Sequence, residues 1–330
     1  MKEVAEAAGV SFKTVSRVIN GDENVRPETR AKVMDAVERL GYRPNQIARQ
    51  MRTQRSQLIG FISDEIVTTP FAFNIIKGAQ QEAWRHDRML LVVNTAADRV
   101  HETEAAEMML TRQVEGVIYA TMRHAIVELP PLLREVPVVL LNCRSADDSL
   151  ASVVPDEVGA GYAATEILLQ KGHRYIPFIN LEVTSVAAIG RLDGYRQALA
   201  AYGVPYDPAL IRNTFGRSPD GYAQARELLA QGPPPSAILC GNDAVAAGVF
   251  EAIKERGLRI PHDIAVLSFD NLELFATSLK PALSTMALPH LEMGEWAVRY
   301  LMQPGVRDAA KSGEAEHVML PCPYIERESI

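Results

Sequence analysis

Cysteine is nearly missing from the sequence: Cys143, Cys240 and Cys322 are odd in number, far apart and set among apolar residues. That excludes a disulfide framework and a cysteine metal site, and a reducing, cytoplasmic compartment is expected. No apolar run reaches the length of a membrane span, and the first residues, with Lys2 and Glu3 on a helical pattern, do not read as a secretory signal. There is no phosphate-loop motif, no Gly-x-Ser-x-Gly elbow and no histidine pair at metal-binding spacing, so no catalytic site, cofactor or metal is indicated. No heptad repeat follows the apolar segment Val318-Met319-Leu320, which removes a tetramer-forming coiled coil and leaves a dimer as the expectation. A positive net charge is lacking too, since the formal value is -7.

That charge is unevenly spread. Residues 1 to 55 hold 11 Lys and Arg against 7 Asp and Glu, while the remainder holds 23 against 34. A basic head on an acidic body suits a phosphate-binding domain joined to an ordinary sensor or enzyme. With 330 residues, 47% of them hydrophobic, the chain is long enough for two or three domains with a sizeable core.

The head is organised around Val4 to Asn20. Val4, Ala7 and Ala8, then Val15, Val18 and Ile19, fit two short helices with one buried face each, and Gly9 makes the turn between them. Ser11 is placed to cap the second helix, which leaves Phe12, Lys13, Ser16 and Arg17 near its exposed first turns, where a helix-turn-helix meets base edges. A plain helix pair with a solvated polar face has the same spacing. Pro27 opens a third helix carrying Val33, Ala36, Val37 and Leu40, and Gly41 closes it. After Pro44, Asn45 to Met51 and Arg52 read as a helix too short to stand alone in water, hence helical only when docked.

From Leu58 apolar strands alternate with amphipathic helices: strands at 58–62, 89–93, 116–119 and 138–141, then, after Pro155, at 175–179, 210–211, 237–240 and 265–269. Short continuous apolar runs between helices predict parallel sheets covered on both faces. Two doubly wound sheets in tandem leave a cleft, where ligands sit at the carboxyl ends of strands. Gly159-Ala160-Gly161-Tyr162-Ala163-Ala164 matches a dinucleotide fingerprint, but it lies inside a helix capped at Asp156, so nucleotide binding there is rejected.

On these residues the chain resembles the lactose-repressor (LacI/GalR) family of transcriptional regulators along essentially its whole length. The matching segments are Thr14-Val15-Ser16-Arg17-Val18 with Asn20, Gly172-His173, Arg191-Leu192-Asp193-Gly194-Tyr195, Asn242-Asp243-Ala244, Phe269-Asp270-Asn271 and Pro281-Ala282-Leu283-Ser284-Thr285. The resemblance implies an all-α helix-turn-helix head over residues 1–44 and a hinge helix and linker over 45–57. It further implies an α/β periplasmic-binding-protein-like core over 58–330. Within the core, one subdomain takes 58–155 and 287–312 and the other 156–286 and 313–330. It implies a homodimer on a near-palindromic double-stranded DNA operator, read by Phe12, Lys13 and Arg17, with Thr14, Ser16 and Asn20 on phosphates or as caps. For Phe12, packing on the head itself stays open. Asn45, Arg49, Met51 and Arg52 fall on the hinge that enters the minor groove, with Met51 where the family carries a leucine wedge.

For a small effector the resemblance carries over Asn142, Arg191, Phe215, Asn242 and Asp270; Phe71 and Phe73 offer an apolar face or else simple core packing. Ala187 and Leu288 stand where sugar-binding members carry polar ligand contacts. The function implied is a regulator, repressing a catabolic or transport operon under control of a sugar or sugar derivative. A purine or nucleoside corepressor is the alternative within the class. A transport solute-binding protein would need a signal peptide and no basic head. An enzyme would need an acid/base pair such as Asp243 and Asp270, for which a ligand role is the better reading.

Overall fold

The computed structural model describes residues 1–19, 22, 24–42, 56–66, 71–306 and 315–330. They fall into two compact units, Met1–Ser56 and Gln57–Ile330. The first contains α1 (Lys2–Ala8), α2 (Phe12–Ile19) and α3 (Pro27–Arg39) around Val4, Ala5, Val15, Val18, Val33 and Ala36. Gly9 ends α1 in the left-handed conformation, φ 65°, which a side chain would resist. The Ser11 hydroxyl then accepts the Thr14 amide at 3.1 Å and so caps α2. α3 starts at Pro27, and the Arg26 side chain makes no capping bond.

The second unit carries two six-stranded sheets. In the first, β1 (Leu58–Ser63), β2 (Met89–Asn94), β3 (Val117–Val127), β4 (Val138–Ser145), β5 (Ser152–Pro155) and β11 (His317–Leu320) run in the order β11-β5-β4-β3-β1-β2, all parallel. In the second, β6 (Phe178–Asn180), β7 (Ile211–Asn213), β8 (Ala237–Cys240), β9 (Ala265–Asp270), β10 (Ser284–Ala287) and β12 (Tyr324–Ile325) run in the order β12-β10-β9-β8-β6-β7, with only β12 antiparallel. The apolar runs predicted at 58–62, 116–119, 138–141, 237–240 and 265–269 are these sheets' buried centres, as two-faced burial requires, and only Phe178 and Ile179 of the run at 175–179 join them in β6. The runs at 89–93 and 210–211 fall on the outer strands β2 and β7, which bury no residue. One assignment is corrected. His317–Leu320 was expected in the second subdomain, but its backbone pairs with β5 and completes the edge of the first. The chain returns to the second sheet only after Leu320.

Helices cover both sheets: α4 (Ala72–Arg85), α5 (Arg99–Thr111), α6 (Glu157–Gln170), α7 (Val186–Ala201), α8 (Ser218–Ala230), α9 (Asp243–Glu255), the short α10 (Glu273–Ala276) and α11 (His290–Met302). α6 and α7 approach backbone to backbone, because a Cβ on Gly194 would overlap the Val158 carbonyl and one on Gly161 that of Arg191. Gly161, part of the rejected fingerprint, is therefore a packing residue. The same approach sets Gly190 against Glu157, and it brings the first turn of α6 beside Arg191.

Candidate functional site

In the head, Phe12 is 54% exposed and does not pack into the head's own core. Lys13 and Arg17 are exposed beside it, and Thr14 and Ser16 are half-buried. Ser11 and Thr14 share a hydroxyl hydrogen bond of 2.9 Å. Arg17 Nε donates to Asp22 Oδ2 at 2.8 Å. Asn20, Asn45, Arg49, Met51 and Arg52 lie outside the described residues.

In the core, a cavity of about 520 Å³ opens between the two sheets at the carboxyl ends of their strands. Of the seven residues expected there, Phe71, Asn142, Arg191, Phe215, Asn242 and Asp270 line it. Phe73 does not: it sits on the outer side of α4, 70% exposed, because two residues along a helix turn the side chain most of the way round from Phe71. Ala187 and Leu288 line the cavity with apolar side chains.

Each side chain is placed by local backbone need. β3 breaks register with β4 between Ala120 and Ala125, and the intervening Met122, Arg123 and His124 form part of the wall. Asn142 sits in left-handed backbone at φ 58° and gives its amide nitrogen to the Thr121 carbonyl at 2.9 Å. Asn242 caps α9 by accepting the Val245 amide at 2.8 Å, and donates to Gly216 O at 3.0 Å. Asp270 ends β9 at φ 110°, a conformation costly for a residue with a Cβ and of the kind concentrated at functional sites. Asp243 is fully buried away from the cavity wall, accepting from Ser268, from Thr285 and from the Leu272 amide. It cannot act with Asp270 as an exposed acid/base pair.

Three important groups had not been singled out from the sequence. Glu157 accepts Arg191 Nε at 2.7 Å, and both are almost completely buried. Burial alone would raise the Glu157 carboxyl, but Arg191 and then His124 outweigh it and the net shift is downward. Burial works against the Arg191 charge as well, and Glu157 and Asp270 outweigh it. His124 Nδ1 lies 3.7 Å from Glu157 Oε1, buried and without a hydrogen-bond partner among the described residues. His290 stacks on Phe71, centroids 4.7 Å apart, and burial pushes its imidazole down to about 4. Asp270 moves the other way: burial raises its carboxyl, Arg191 opposes, and Asp243 and Glu157 add to the rise. A sequence signal for Glu157 did exist, namely a carboxylate at the start of a helix whose first turns are otherwise apolar or small, which burial obliges to find a cation.

In formal charges the wall holds five carboxylates, Asp64, Glu65, Glu157, Glu182 and Asp270, against the guanidinium groups of Arg123 and Arg191. Arg191 is held by Glu157, whereas the exposed Arg123 lies 3.8 Å from Glu182. Among the described residues no group of three His, Cys, Asp or Glu is placed to hold a metal ion, and no helix is long and apolar enough to cross a membrane.

A helix-turn-helix head joined to a two-sheet core with a polar cleft defines the class of ligand-sensing, DNA-binding regulators. The comparisons place the chain within that class. The family described as periplasmic binding proteins and sugar binding domain of LacI family matches residues 56–328, and bacterial regulatory proteins, lacI family, matches residues 1–45. The chain belongs to the LacI family of bacterial transcriptional regulators. It is 33% identical to the HTH-type transcriptional regulator RegA of Clostridium saccharobutylicum, over 100% of this chain and 98% of that protein. It is 31% identical to the ribose operon repressor of Haemophilus influenzae, over 92% and 91%. A crystal structure of the lac repressor dimer bound to operator and the anti-inducer ONPF superposes with a TM-score of 0.80 at 26% identity, covering 99% of this chain and 97% of that one.

Proposed function

We propose that the protein is a homodimeric, cytoplasmic repressor whose release from or retention on a near-palindromic operator is set by an uncharged sugar or sugar derivative bound in the core cleft. The observation that carries this is the polar inventory of the cavity. Arg191, Asp270, Asn142 and Asn242 supply the donors and acceptors that neighbouring hydroxyls need, and Phe71 and Phe215 supply apolar faces. Even with Asp270 protonated, four carboxylates face two guanidinium groups and the buried Arg191 is already paired with Glu157, so the wall is net negative and an anionic effector is disfavoured. The repressors of sugar operons among the relatives support the same reading. Phe12, Lys13 and Arg17 are the base readers, Thr14 and Ser16 phosphate contacts or caps, and Asn20, Asn45, Arg49, Met51 and Arg52 the remaining DNA contacts. An effector shifts the operator equilibrium only by its differential affinity for the two core states.

A purine or nucleoside acting as corepressor is the second reading, favoured by the flat Phe71–His290 stack on the cavity wall. A thermal-shift screen of the purified protein separates the two, because a ligand of the folded state raises the melting temperature. The expected hits are uncharged sugars or polyols, with no response to the matching sugar phosphates or sugar acids. Hits confined to nucleobases establish the second reading, and hits confined to anions overturn both. Arg191→Ala is expected to abolish the response to any hit while DNA binding remains measurable.

A further inference from the structure

We propose that Asp22 is a specificity-determining positioning residue of the head, holding Arg17 by its Nε so that the two terminal amino groups are presented to a base edge in a fixed direction. The inference rests on Arg17 as a base reader, and its test separates the two. The geometry is a two-way bracket: the Asp22 amide donates to the Arg17 carbonyl at 3.0 Å, and Arg17 Nε donates back to Asp22 Oδ2 at 2.8 Å. Asp22 is itself braced. Its Oδ1 accepts from the Asn24 amide at 3.0 Å and from Asn24 Nδ2 at 3.1 Å, and Arg30 of α3 donates to its carbonyl at 2.6 Å. One carboxylate oxygen thus fixes the turn, and the other faces the arginine.

A guanidinium reads guanine with two parallel N–H groups, so a grip through Nε leaves the reading pair free. The ion pair is exposed, 44% for Arg17 and 31% for Asp22, and an exposed pair contributes little to folding. Its effect lies in binding: a long side chain ordered before DNA arrives loses less entropy on contact. A carboxylate beside the reading surface also repels phosphate, so it weakens sequence-independent binding. The hydrogen bond from Arg17, with those from Asn24, holds the Asp22 carboxyl down at about 2, so the pair persists throughout the physiological range.

The test is selection and sequencing of bound duplexes from a randomised double-stranded DNA library, using the full-length protein and its Arg17→Ala and Asp22→Asn variants. A scrambled duplex measures sequence-independent binding. Asp22→Asn keeps an oxygen for the Asn24 amide and puts an uncharged NH2 donor in place of the oxygen that accepts from Arg17 Nε, so both the charge and the hydrogen bond to Arg17 are lost. The base position that loses its preference in Arg17→Ala is expected to lose roughly fivefold or more of it in Asp22→Asn. Other positions should be unchanged, and scrambled-duplex affinity equal or higher. Wild-type preference at that position in Asp22→Asn overturns the proposal. So does a uniform loss at every position together with a lowered melting temperature, which makes Asp22 a folding residue. If Arg17→Ala leaves every preference intact, the reading of Arg17 itself fails.

Discussion

Arg17 in the head and Arg191 in the core are each held through Nε by a carboxylate, at 2.8 and 2.7 Å, yet their surroundings differ completely. Arg17 and Asp22 are solvated and five residues apart in sequence. Arg191 and Glu157 are sealed between two helices, 34 residues apart. Water already satisfies the exposed pair, so its geometry matters for what Arg17 presents rather than for stability. The buried pair is cut off from water, with the Gly241 carbonyl on Arg191 and His124 and Asp270 nearby, so each charge depends chiefly on the other.

The largest effect that sharpens this contrast is expected from Glu157→Gln, which strands a buried guanidinium and should destabilise the protein by about 3 kcal/mol in denaturant titration. Asp22→Asn in the same assay should leave the unfolding midpoint unchanged; equal losses would erase the distinction. Buried titratable groups should also show in the pH dependence. His290, ordinarily near 6.5, is held at about 4, so between these values the unfolded chain binds more protons than the folded one. Its contribution is complete above pH 6.5 and is lost as pH falls towards 4, about 3 kcal/mol in all. The wild type should lose that much more stability than His290→Asn over the window, and parallel curves would contradict the buried neutral imidazole.

A smaller effect of opposite character is expected at Asp270. Its carboxyl is raised, so the folded state prefers the protonated form and stability falls as pH rises above the ordinary carboxylate range. Asp270→Asn should therefore stabilise the protein at neutral pH, by about 1 kcal/mol on the scale of a buried polar group, while abolishing any effector-induced melting shift. A destabilised variant would show that the carboxylate is satisfied in place. The least effect belongs to Phe73→Ala, within about 0.5 kcal/mol and without influence on ligand binding.

Much of the fold was legible because it is written locally. The runs at Leu58, Val138, Ala237 and Ala265 are strands since both faces of a parallel sheet are covered there, and the apolar run at Met89 is the half-exposed outer strand beside them. β5, β10 and β12 were not, because they are short and carry Ser152, Ser284 and Thr285, whose burial is satisfied by distant partners such as His317, Ser329 and Asp243. Val318-Met319-Leu320 was readable as a strand but not as a member of the first sheet, since the pairing with β5 leaves no trace in the run itself. In the cleft, strand-end residues such as Asn142 and Asp270 were identifiable. His124 and His290 were not, because a histidine in sequence carries no sign of what it faces.

The sequence by itself determined the head, its turn at Gly9 and its cap at Ser11, and the alternation that builds two sheets, while the residues at the strand ends came from the family resemblance. The former depend on periodicity and backbone preference over a few neighbours. Only the tertiary structure decided which carboxylate each arginine meets, that Phe71 enters the cleft while Phe73 faces water, and that Asp270 is left with a raised carboxyl. Those outcomes follow from burial and from distances between chain segments far apart in sequence, where a shift of one helix face or one strand partner changes the electrostatics of the site.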